Sequence, residues 1–151
     1  MSKLSEARAT LHAALVHVFD EPVNGLTLSN ERAHQWPAQQ PNAPCVWIEQ
    51  PIGELREVGR QGSVLISEVT FPVKVVFDGA DRAQVAGLDE LVSRVWDQAW
   101  AAGGRPVRFR PGPVDVGGPH LRATVVDVEM TVRAVTFCDP APARTQEVPV
   151  G

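Results

Sequence analysis

The sequence predicts an α+β domain, a mainly antiparallel sheet of four to five strands with two main helices packed on one face. Two segments repeat their apolar residues every three or four positions, and two long segments repeat them every second position. At 151 residues the chain suits a single core, so 1–138 reads as one domain and 139–151 as a Pro-rich C-terminal arm.

The first helix is expected over residues 5–20, where Ala7, Leu11, Ala14, Leu15 and Val18 fall on one helical face and Pro22 follows. Residues 21–44 carry Pro22, Gly25, Pro37, Pro41 and Pro44. A loop of that length in a compact domain usually has a task, so a short helical turn at 29–34 or contact with a neighbouring chain is expected. Cys45, Val46, Trp47, Ile48 and Glu49, bounded by Pro44 and Pro51, predict a short strand. The stretch 53–62 is a charged, glycine-bounded excursion. A long strand then spans 63–77, with Leu65, Val69, Phe71, Val73, Val75 and Phe77 on one face and Glu68, Thr70 and Lys74 on the other. Pro72 has no N–H for a ladder, so it is expected at an edge, a bulge or a solvent-facing position.

Asp81 is placed to cap a second helix running to about residue 102, with Val85, Leu88, Leu91, Val92, Val95, Trp96 and Ala99 as its apolar stripe and Gly103-Gly104 as its stop. A short strand at 106–110 and a Gly/Pro loop at 111–119 follow. In the last strand, 121–138, Val126, Val128, Met130, Val132 and Ala134 share a buried face, while Asp127, Glu129, Thr131 and Arg133 share a wetter one. Beyond residue 139, Pro140, Pro142 and Pro149 leave no periodic pattern, and alone such a segment is expected to be disordered.

Composition excludes several function classes. Lys+Arg 14 against Asp+Glu 18 leaves a net charge of −4, so the molecule as a whole has no basic field for nucleic acid or an anionic membrane. No apolar run approaches the roughly 20 residues of a membrane span, and the polar start, Met1 through Glu6, does not predict export. The basic residues are two lysines and twelve arginines, a bias that a GC-rich genome explains. Cys45 and Cys138 are too few for a disulfide framework and too far apart for a CxxC site. Each is expected as a small buried residue at a strand end.

No catalytic, cofactor or metal site is expected. His12, His17, His34 and His120 lack ligand spacing, and no nucleophile elbow or phosphate-binding loop occurs; the loop with Gly112, Gly117 and Gly118 reads as a turn. Glu49, Glu54 and Glu57 are better explained as solvated charges than as an acid/base set. The run Arg105-Pro106-Val107-Arg108-Phe109-Arg110 interleaves an aromatic as RNA binders do, yet fits an edge strand whose charges discourage wrong pairing.

The order of elements, with Ala43-Pro44-Cys45-Val46-Trp47-Ile48-Glu49 leading into the paired strands and Phe71-Pro72-Val73-Lys74-Val75-Val76-Phe77-Asp78-Gly79 before the second helix, resembles the tail terminator, or tail completion, proteins of long-tailed bacteriophages. The resemblance covers roughly residues 5–138 and implies a structural virion protein, not an enzyme. Such a protein assembles as a homo-oligomer, a hexameric ring, on the head-proximal end of the tail tube. There it stops polymerisation of the tube protein and offers a docking surface to the head-completion proteins. DNA would pass through the ring without sequence-specific binding, and no membrane is involved. The implied location is the virion tail, with assembly in the host cytoplasm. The interface candidates are Glu54, Arg56, Glu57 and Arg60 in the charged excursion and Arg105, Arg108 and Arg110 at the edge, with the arm lapping a neighbour. The alternative for each arginine is an ordinary solvated charge. The alternatives for the whole are a neck or head-tail connector protein, or a small non-viral oligomeric module joined through the Trp36 loop.

Overall fold

The computed structural model describes residues 2–61 and 64–135. Helix α1 spans Lys3–Leu15, and the Ser2 hydroxyl accepts the Ser5 N–H to cap it. The expected extension to residue 20 exists only as a tightened 3-10 turn, Val16–Phe19. The carbonyls released there do not go unpaired: Arg94 donates to Val18 O at 3.0 Å, Glu21 O at 2.7 Å and Pro22 O at 2.9 Å.

Within 21–44, a short 3-10 turn, Asn30–Arg32, matches the expected helical turn. The two-residue strand β1, Ala33–His34, escaped the sequence reading because so short a strand has no period. The strands β2 (Cys45–Ile48), β3 (Ile52–Gln61) and β4 (Val64–Asp78) follow, then helix α2 (Arg82–Ala101), β5 (Arg105–Gly112) and β6 (Leu121–Val135). The sheet runs β1-β2-β4-β6-β5, with β3 also against β4. It is antiparallel apart from the parallel β1–β2 pair, so five strands and a two-residue addition form the expected α+β architecture. The Asp81 carboxylate caps α2 by accepting the Ala83 N–H, and Gly103 ends it at φ +82°, a conformation that costs glycine least.

β4 and β6 pair along their whole lengths, from Val64 with Val135 to Asp78 with Leu121. Both helices lie on one face of this ladder. Leu11 and Leu15 from α1 and Leu91, Val95 and Ala99 from α2 close over Val46, Ile48, Val69, Phe71, Val73, Val75, Val126, Val128, Met130 and Val132. The alternation predicted the β4 and β6 members of this core because period two places them on one side of the pleat.

Three expectations are corrected. Residues 53–61 of the charged excursion lie in a strand, β3, whose backbone pairs with β4 through two register shifts; polarity and glycine masked it because it lies at the sheet margin. Pro72 sits in the central strand, at the junction where β3 stops pairing and β2 begins. Its carbonyl accepts the Glu49 N–H at 2.8 Å, so its missing N–H faces that junction, where the Glu49 carbonyl accepts from Arg8 instead. The wetter face is partly dry: Cys45, Trp47, Val76 and Ala123 form a second buried cluster there, flanked by Ala38, Ala43, Val114 and Leu121. Cys45 matches its expectation, while Cys138 and the arm lie outside the described residues.

One charged residue sits inside the main packing. Arg8 is 4% exposed and occupies a core-facing position of α1. It donates to Gln35 O at 2.8 Å, Ile48 O at 3.0 Å and Glu49 O at 3.1 Å. Its guanidinium lies 3.7 Å from the centre of the Trp36 ring and 5.3 Å from that of Phe71. Burial draws its pKa down, and Glu49 opposes that. Arg8 thereby ties α1 to the segment after β1 and to the end of β2. Replacing it orphans buried carbonyls, so Arg8→Met is expected to cost about 3 kcal/mol. Arg8→Lys, which keeps the charge without the fork, should recover less than half of that, as read from urea midpoints.

Candidate functional site

Strict alternation along β5 would put Arg108 and Arg110 on one face and Arg105 on the other. The register prevents this. Arg105 stands opposite Glu129 and Pro106 opposite Val128, but Arg108 stands opposite Asp127, so Val107 is an inserted, bulged residue. After the bulge, all three arginines share the face of β6 that carries Asp127 and Glu129.

Each arginine finds a carboxylate there. Arg108 Nε donates to Asp127 Oδ2 at 2.6 Å, and Arg110 donates to the same oxygen at 3.1 Å and to Oδ1 at 3.3 Å. Arg105 binds Glu129 and lies 3.9 Å from Glu68 on β4. One strand further, Lys74 approaches Glu49 at 3.6 Å, and Glu49 accepts the indole N–H of Trp47. Asp127 is 1% exposed, the buried anchor of the group. Burial by itself would raise its carboxyl, but the hydrogen bonds and charges of Arg110 and Arg108 outweigh that and hold it below the usual carboxylate range.

Among the described residues these pairs bring four cations, Lys74, Arg105, Arg108 and Arg110, to four carboxylates, Glu49, Glu68, Asp127 and Glu129, and through them the three arginines hold the β5 edge. Arg108 still has 63% of its side chain exposed, leaving donors at the rim for a partner surface. No group of His, Cys, Asp and Glu among the described residues could hold a metal ion, and none of the described helices is long and apolar enough to cross a membrane.

The other interface candidates lie elsewhere. Arg56 pairs with Glu68, Glu57 with Ser67 and Arg60 with Leu65 in the β3–β4 register, so Glu54, Arg56, Glu57 and Arg60 belong to the strand on the opposite side of β4 from β6 and β5. The two sets therefore occupy two unlike margins of one sheet. Glu49 directly follows β2 and approaches Lys74 of β4.

The sequence reading missed Asp127, Glu68 and Glu129 as partners. Their polar alternation was visible, but which arginines reach them depends on the bulge. It also missed the pairing of Trp96 with Phe109, whose rings meet edge to face at a centroid distance of 6.2 Å beside β5.

Asp127→Asn should cost about 2–4 kcal/mol, because two guanidinium groups then face a neutral amide. The folded carboxyl titrates below its unfolded value of about 3.9. Its contribution is therefore complete above that pH and is lost as pH falls through the folded value. Denaturation midpoints between pH 6 and pH 2.5 should thus fall less steeply in Asp127→Asn than in the parent. Compared with known proteins, the chain matches no family model and no curated protein.

Proposed function

We propose that this protein is a structural component of a long-tailed phage virion, the terminator that caps the head-proximal end of the tail tube. The observation that carries the reading is the pair of unlike sheet margins, β3 on one side and β5 on the other, in a chain whose sequence resembles that family. A contact between two different surfaces of identical subunits is head-to-tail and closes into a ring when the rotation permits. A hexamer is the ring size taken from the family resemblance. The margin bearing Arg105, Arg108 and Arg110 meets a ring neighbour; the β3 margin, with Glu54, Arg56, Glu57 and Arg60, meets a neighbour or the tube.

The mechanism is steric. One ring face matches the tube subunit, and the other accepts head-completion proteins but no further tube ring. The paired charges at the β5 margin suit a protein partner, whose carboxylates or carbonyls can use the outward donors of Arg108. DNA passing through such a ring would meet no specific readout.

Disrupting the gene in the parent phage and measuring tails by electron microscopy tests this directly. Overlong tubes are expected. Tubes of normal length with unattached heads would assign the protein to the neck, and normal infectious particles would remove it from the virion. The double reversal Arg56→Glu and Arg60→Glu should leave the thermal transition in place while abolishing complementation of the disrupted phage. Full complementation would overturn the role given to that margin.

A further inference from the structure

Helix α2 carries two stripes. Leu91, Val95 and Ala99 are buried on the sheet. Val85, Asp89, Val92, Trp96 and Trp100 follow one another at steps of three or four residues and form a second stripe about a third of a turn round the helix, toward β5. Val85 is 46% and Trp100 55% exposed, while Val92 and Trp96 are half-buried. Asp89, Val92, Ser93 and Trp96 line one side of an open groove of about 460 Å³, and the exposed Phe109 lines the other. Exposed apolar side chains grouped in this way mark an interaction surface.

The stripe is symmetric about its own middle. Val85 and Trp100 lie equally far on either side of the point between Val92 and Ser93, and Asp89 and Trp96 do the same. We propose that a second copy of this chain covers the stripe, the two α2 helices running antiparallel about a two-fold axis that passes between Val92 and Ser93. Trp100 of each copy then covers Val85 of the other. Neither the Asp89 carboxylate nor the Trp96 indole N–H has a hydrogen-bond partner among the described residues, and this register brings each to the other across the axis. The residues at the crossing, Val92 and Ser93, are small enough for the helices to approach to about 8–10 Å.

Charge favours the same arrangement. Arg82 directly follows the N-cap Asp81, so it stands at the positive end of its own helix dipole, where a cation is disfavoured. In the antiparallel pair it falls beside Gly103 of the second copy, at the negative end of that helix. A partner of unrelated sequence would not impose this two-fold pattern on the stripe. The contact is isologous and closes on two copies, so it is separate from the head-to-tail contacts proposed at the β3 and β5 margins and does not rest on them.

A single introduced cysteine tests a two-fold contact, because a residue at the axis meets its own counterpart. In the full-length protein carrying Cys138→Ser, Ser93→Cys treated with a short bismaleimide should give a covalent dimer. Glu90→Cys, exposed on the side of α2 away from the groove, should give none. Cys45 stays silent, because burial pushes its thiol up to about 11. Trp100→Asp, at an exposed site that spares the core, should abolish the linkage and weaken dimerisation roughly thirtyfold in sedimentation equilibrium, the effect of losing a tryptophan anchor. Arg82→Glu should weaken it roughly two- to fivefold, the effect of one charge at a helix end. Equal linkage from Glu90→Cys, or dimerisation unchanged by Trp100→Asp, would overturn the proposal. So would a Ser93→Cys protein that stays unlinked; if its native mass is that of a ring, the reading of the sheet margins survives, and if it is that of a monomer, both fall.

Discussion

Everything in this fold hangs on the pairing of β4 with β6. These two fifteen-residue strands run antiparallel in continuous register, and each remaining strand except β1 attaches directly to one of them. The ladder also separates two environments. Its helix side is a hydrocarbon layer interrupted by the buried Arg8 and Ser67, and its other side passes from buried Trp47 and Val76 to the ionic group around Asp127. Because the strands are far apart in sequence, with α2 and β5 between them, the central pairing requires long-range closure.

The parts of the fold legible in the sequence were those written in long periods. Val69, Phe71, Val73 and Val75 against Val126, Val128, Met130 and Val132 form a repeat that no helix reproduces, and the α2 stripe is equally plain with Asp81 as its cap. What stayed hidden depends on single residues or on partners distant in the chain. Arg8 lies on the apolar stripe of α1, four residues after Leu4 and three before Leu11, where a charge reads as an exception until Gln35, Ile48 and Glu49 supply its acceptors. β3 was masked because a marginal strand takes polar residues freely. For Pro72 the sequence rule allows an edge, a bulge or a solvent-facing position, whereas the junction between two partner strands offers the same relief inside the sheet.

The candidate site was half legible for a related reason. The arginines of β5 stand out by composition, and so do the acids of β6. Their connection depends on a shift of one position at Val107, a local backbone event with no distinctive residue to announce it. The resulting cluster shows why net charge is a coarse guide to partners. A row of three arginines on an edge strand suggests affinity for polyanions, yet their Coulombic demand is met by Asp127, Glu129 and Glu68 within the same sheet.

That bulge also shows where the molecule can vary over evolutionary time. Edge strands ordinarily absorb small insertions and deletions, since one side is unpaired. A chain without Val107 would close the bulge and still set Arg105 opposite Glu129, Pro106 opposite Val128, Arg108 opposite Asp127 and Phe109 opposite Val126, with the arginines on one face by plain alternation. Length changes in this region are therefore tolerable at Val107 as well as in the connection between β5 and β6, around Val114 to Pro119. In a set of related sequences, length would drift in that connection, and the step from Arg105 to Arg108 would be three residues or two.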